Sequence, residues 1–150
     1  MAHNRKGRMM TEGRLMMTGI RTVAGIAVVV ACLTPASAQE ISIEAMPPSV
    51  IKTVPVCGDA TVPAATRQIK VTFSKTMMNK SWSFTQISKD SFPELAGQPK
   101  YLLDGRTCVL PVKLKPNKTY VLWLNSQKFT NFKDASGSPA VPYLLVFKTK

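Results

Sequence analysis

From Ile69 onward, apolar side chains recur at every second position in short runs, and turn signals separate the runs. No other feature limits the fold as tightly. Ile69, Val71 and Phe73 alternate with Lys70 and Thr72, the pattern of a half-buried strand. Trp82 and Phe84 flank Ser83 in the same way. Cys108, Leu110, Val112 and Leu114 share one face, opposite Val109, Pro111 and Lys113. Tyr120, Leu122 and Leu124 alternate with Val121 and Trp123, and Tyr143, Leu145 and Phe147 with Leu144, Val146 and Lys148. With Val50 to Val56 and Tyr101 to Leu103 added, the pattern predicts about seven short strands. Turn residues separate them: Cys57-Gly58-Asp59, Asp104-Gly105, Pro116-Asn117, and Asp134 to Gly137 followed by Pro139. Asp104-Gly105 predicts a hairpin. Eleven prolines oppose long helices. The expectation is an all-β antiparallel sandwich.

The first 38 residues follow a different rule. Arg5, Lys6, Arg8, Arg14 and Arg21 precede an apolar run from Val23 to Leu33, which Pro35 breaks just before Ala36-Ser37-Ala38. Basic stretch, short apolar helix, breaker and small-x-small site describe a secretory signal peptide. The run is too short for the ~20 apolar residues of a bilayer-spanning helix. The reading is therefore a helical signal peptide over 1–38, a lead-in segment over 39–49 and a domain over 50–150. The mature chain starts at Gln39, is exported to the periplasm or beyond, and has no transmembrane segment. Val29-Val30-Ala31-Cys32 loosely fits a lipobox, so lipidation of Cys32 is the less favoured alternative. Met16 and Met17 are alternative starts.

Loss of the leader removes His3, the only histidine, and with it the commonest general base and metal ligand. The remaining acids are scattered, most of them in turns. No nucleophile motif, phosphate loop or cysteine–histidine cluster appears. An enzyme is not expected, nor a cofactor. The mature chain carries 15 basic and seven acidic residues, a net charge of +8. Dispersed lysines fit a solvated surface or attraction to an anionic cell-envelope polymer. No arginine-rich or aromatic-interleaved stretch signals specific nucleic-acid binding.

Cys57 and Cys108 survive processing, and an even count in an exported chain invites a disulfide. Two buried thiols that never meet are the alternative.

A set of segments occurs in a telling order: Thr53-Val54-Pro55 with Gly58, Ile69 to Lys75 with Met77, Asp104 to Thr107, Leu114 to Tyr120, Asp134 with Gly137, and Phe147-Lys148-Thr149. Together they resemble the bacterial Ig-like domain of the type found in S-layer proteins (the SbsA type), over roughly residues 48–150. The resemblance implies an accessory module of surface and secreted proteins, without chemistry of its own. Within such a sandwich Pro116 to Tyr120 resembles a tyrosine corner. Trp82 is then expected as the large core residue between sheets, and Met77 as the filler of an irregular gap.

The periplasmic copper-binding sandwich of the CopC type is similar in size and export. It relies on histidines, which the mature chain lacks. Met46, Met77 and Met78 offer soft thioethers suited to Cu(I). A small periplasmic metal-binding protein of sandwich fold therefore stands as the alternative function. Adjacent Met77 and Met78 point to opposite faces when extended, which favours packing over metal binding.

The most specific functional expectation concerns the last strands. If Tyr120, Leu122 and Leu124 point inward, Val121 and Trp123 point outward, and Leu144 and Val146 do so when Tyr143, Leu145 and Phe147 point in. Paired, these strands place the four apolar side chains on one outer sheet face, a surface for a protein partner or for self-association.

Overall fold

The computed structural model describes residues 41–150. The leader, the cleavage point at Gln39 and Cys32 lie outside the described residues. Among the described residues every regular element is a strand: β1 (Val50–Val54), β2 (Gln68–Phe73), β3 (Phe84–Gln86), β4 (Glu94–Leu95), β5 (Lys100–Tyr101), β6 (Thr107–Lys113), β7 (Thr119–Leu124) and β8 (Tyr143–Lys148). The strand missing from the sequence reading is β4, whose two residues are too few to display a period.

The strands form two antiparallel sheets. The larger runs β1-β2-β6-β4, with β5 also paired to β6. The smaller runs β3-β7-β8. The hairpin expected at Asp104-Gly105 joins β5 to β6. Its turn closes through Gly105 N donating to Leu102 O at 3.0 Å and Leu102 N donating to Thr107 O at 2.8 Å. Gly105 adopts φ +62°, a left-handed conformation that glycine takes without a Cβ penalty.

The inward halves of the alternating runs meet between the sheets. Ile69, Val71 and Phe73 of β2 and Cys108, Leu110 and Val112 of β6 face Tyr120, Leu122 and Leu124 of β7 and Leu145 and Phe147 of β8, all buried. Full burial of each such aliphatic or aromatic side chain contributes roughly 1.5–3 kcal/mol. The large aromatic between the sheets is Phe132, not Trp82. Phe132 is fully buried, 4.9 Å from the Phe73 ring and 5.0 Å edge-on from the Phe84 ring. Trp82 is half-buried at the margin of the core. It stands two residues before β3 proper, where the chain is still entering the sheet.

Both ends of β7 are tied by buried polar groups. At its start the Tyr120 hydroxyl accepts a hydrogen bond from Lys115 N at 2.7 Å, and the ring stacks on Phe147 at 5.3 Å. The expected tyrosine corner is formed. At its end Asn125 is fully buried. Its amide nitrogen donates to Phe132 O and Ala140 O, both at 2.9 Å, and its oxygen accepts from Phe132 N at 2.8 Å. Three bonds from one side chain thus fix the loop that delivers Phe132 to the core.

Candidate functional site

The outer face of the smaller sheet has an apolar centre, with Thr119 and Lys148 at one end. In the β7–β8 ladder Val121 lies opposite Val146 and Trp123 opposite Leu144, while Thr85 of β3 lies opposite Trp123. The four side chains expected to share this face do share it. Each is half-buried. The far edge of β8 is occupied by the chain itself. Gly58 N donates to Val146 O at 2.7 Å, Lys148 N to Asp59 O at 2.8 Å, and Val62 N to Lys148 O at 3.1 Å.

The larger sheet presents a basic outer face. Lys52 lies opposite Thr72, and one row across the sheet reads Val54, Lys70, Val109, Lys100. Val109 points outward as its alternation requires, yet it is only 2% exposed. The flanking Lys70 and Lys100 can lay their aliphatic stems over it and keep their ammonium groups in water. Further along, Lys113 pairs with Glu94 at 2.9 Å, an exposed ion pair of small energetic weight.

A cleft opens where β3, at the margin of one sheet, faces β4 at the margin of the other. Its volume is about 630 Å³. Trp82, Phe84, Phe92, Leu95 and Phe129 line it, with Leu110 at the floor. Leu95 and Phe129 are exposed. Two smaller hollows continue it. One, shared through Trp82 and Pro99, holds Lys80 and Lys100. The other, shared through Gln86 and Phe92, holds Lys89, Lys113, Lys115 and Lys118 together with Asp90 and Glu94.

The cysteines are far apart in character. Both are free thiols, so the expected Cys57–Cys108 bridge is not formed. Cys108 points into the core from β6, where burial pushes its thiol up to about 12. Cys57 is exposed, and its sulfur approaches Leu144 O at 3.5 Å. The alternation of β6 commits Cys108 to the inward face, whereas Cys57 sits in the turn along β8.

The acids serve local structure. Asp134 is buried; it accepts from Ser136 N and Ser138 N at 3.0 and 2.9 Å and pairs with Lys75 at 3.4 Å. Asp104 accepts from the Thr107 hydroxyl at 2.6 Å and from the Thr107 and Arg106 amides, which hold its carboxyl below the usual range. Among the described residues no three His, Cys, Asp or Glu side chains gather in a metal-binding group. Met77 is buried, and Met46 and Met78 are exposed.

Sequence reasoning placed the outer face of β7 and β8 and missed the cleft. Phe92, Leu95 and Phe129 lie in segments without alternation, so no period assigns them a direction. Their signal was weaker: bulky apolar residues in otherwise polar, proline-punctuated stretches.

Two antiparallel sheets packed over one core, with a tyrosine tied at the start of β7, define an Ig-like β-sandwich. The sequence pattern of the bacterial Ig-like domain family matches residues 44–149, and the chain belongs to that family. Among solved structures, the chain is similar to the crystal structure of the S-layer protein SbsC, with 19% identity and a TM-score of 0.45 over 70% of this chain. A structure of domains 1–6 of the surface layer protein SbsC is similar at 19% identity and a TM-score of 0.45 over 69% of this chain. The chain spans 14% of the length of each. No curated protein sequence matches it. No helix among the described residues is long and apolar enough to cross a membrane.

Proposed function

We propose that this protein is an exported, non-catalytic module of the cell envelope that works by docking a protein partner on the outer face of β7 and β8. One observation carries the reading: Val121 with Val146, and Trp123 with Leu144, sit opposite each other on the side of the sheet that faces away from the core. Outward positions of an antiparallel sheet with one solvated face are ordinarily polar. Four apolar side chains there cost solubility, and a contact that buries them recovers that cost. The leader sequence, with its small-x-small site at Ala36 to Ala38, supports export. The mature charge of +8 opposes the close approach of two copies, which favours a different, acid-rimmed partner over self-association.

The test is co-sedimentation of the protein with washed envelope from its own cells. Trp123→Ala combined with Val146→Ser is expected to lower the bound fraction while the melting temperature changes little. Unchanged binding would remove the face as the docking site. Collapse of the fold would show that Trp123 belongs to the core. Mass spectrometry of the exported chain is expected to give Gln39 as its first residue and no lipid; diacylglycerol on Cys32 would reverse that part of the proposal.

A further inference from the structure

We infer that the open edge of the sandwich is a second docking site, which takes an extended, acidic and partly apolar segment of a partner protein as an added strand on β3. The smaller sheet has two margins, and the chain treats them differently. The free side of β8 is covered by Gly58, Asp59 and Val62 through backbone hydrogen bonds. The free side of β3 has no such cover among the described residues.

Hydrogen-bond alternation shows which groups are left over. Asn125 N donates to Ser83 O at 3.1 Å, and the register pairs Thr85 with Trp123. Ser83 and Thr85 therefore spend their backbone groups on β7. Phe84 and Gln86, between and beyond them, turn their N–H and C=O groups away from β7. Among the described residues those groups make no bond outside the ladder, and β3 is the last strand of its sheet. An extended peptide laid along this margin satisfies them, which is recognition by strand addition.

The cleft supplies what a bare edge lacks. Phe84 and Gln86 belong to the inward-facing half of β3, since their partners Leu124 and Leu122 are buried. Every second side chain of an added strand would therefore enter the 630 Å³ space between β3 and β4, against Phe92, Leu95 and Phe129. Apolar side chains suit those positions. Charge sets the remaining preference. Lys80 and Lys100 stand at one end of the groove, and Lys89, Lys115 and Lys118 at the other. Among the described residues none of these five lysines is in a salt bridge. Asp90 and Glu94 share the second end, and Glu94 is taken by Lys113. A segment with acidic residues flanking an alternating apolar centre complements both ends.

The experiment uses the purified protein and a fluorescent octapeptide with acidic ends and an alternating centre of valine and leucine. Binding is expected by anisotropy, weakening with salt, with shifts of the Phe84 and Gln86 amide signals in NMR. Gln86→Pro removes a donor that no ladder bond uses, and proline is tolerated on edge strands. This variant is expected to weaken binding about tenfold or more, and so is Leu95→Ser with Phe129→Ser. Trp123→Ala with Val146→Ser is expected to leave it unchanged, which separates this site from the β7–β8 face. A peptide N-methylated at alternate amides tests the wild-type protein directly and decides the matter if Gln86→Pro does not fold. Absence of binding overturns the inference. So does equal binding of the methylated peptide, of polyglutamate or of a single-stranded oligonucleotide, because each of these reads charge without strand pairing.

Discussion

The outer faces of the two sheets obey the same alternation and carry opposite chemistry. On the larger sheet the outward positions hold Lys52, Lys70 and Lys100 beside Thr72 and Thr107, with Val54 and Val109 set between the lysines. On the smaller sheet Val121, Trp123, Leu144 and Val146 form an apolar centre, bordered by Thr119 with Lys148 and by Thr85. Solvation explains the first without any partner. The second is not what solvent selects, and its central strand β7 is tied through Tyr120 near its start and Asn125 just after its end. Alternation tells which way a side chain points; the chemistry of the outward half tells whether that face is meant for water.

The largest effect is expected where β7 is held. Asn125→Ala orphans Phe132 N and Ala140 O in the core, while Phe132 O keeps its bond from Ala140 N, and unpaired buried groups cost about 1–3 kcal/mol each. The expected loss is about 2 kcal/mol or more in chemical denaturation; a loss near zero would mean that the loop rearranges and the ties are not what orients the face. Tyr120→Phe removes only the acceptor for Lys115 N and should cost about 1 kcal/mol. On the other sheet, Lys70→Gln with Lys100→Gln should change stability by less than about 0.5 kcal/mol. A larger loss would make the stems over Val109 structural rather than solvating.

Lowered carboxyls add a pH dependence to the stability of the fold. The Thr107 hydroxyl and the Thr107 and Arg106 amides hold Asp104 below its usual value, Thr61 does so for Asp59, and Lys113 for Glu94. A carboxyl lowered in the folded state stabilises above its unfolded value, about 3.9 for Asp and 4.3 for Glu. That contribution is lost as pH falls through the lowered folded values. Thermal melts should therefore show a plateau above about pH 5 and a gradual decline below about pH 4. The smallest effect is chemical: a thiol reagent should label exposed Cys57 quickly and leave Cys108 untouched until unfolding. Resistance of both thiols in the native, unreduced protein would restore the bridge.

Much of this was legible in the residues. The period-two runs gave β2, β6, β7 and β8 and the facing of their side chains, since burial on one side forces alternation. The Asp104-Gly105 turn gave the β5–β6 hairpin. The face made by Val121, Trp123, Leu144 and Val146 followed from the same period once the strands were taken as neighbours. What stayed hidden depends on non-local packing. Phe132 reaches the core from a loop without alternation, held by Asn125, whose burial nothing local announces. Trp82 reads as core by size, yet it lies beyond the ladder and lines the cleft. The free edge of β3 is a matter of which strands fail to meet, and one-dimensional patterns do not record that.

On the proposal made above, the apolar outer face docks a partner and the basic outer face meets solvent. The most direct measurement compares envelope co-sedimentation of two variants at low salt and at a salt concentration that screens surface charge. One is Trp123→Ala with Val146→Ser; the other is Lys52→Gln with Lys70→Gln and Lys100→Gln. The first is expected to lose about tenfold or more in binding at both salt concentrations, and the second to change little once charge is screened. Loss of binding in the lysine variant, with the tryptophan variant still bound, would contradict it.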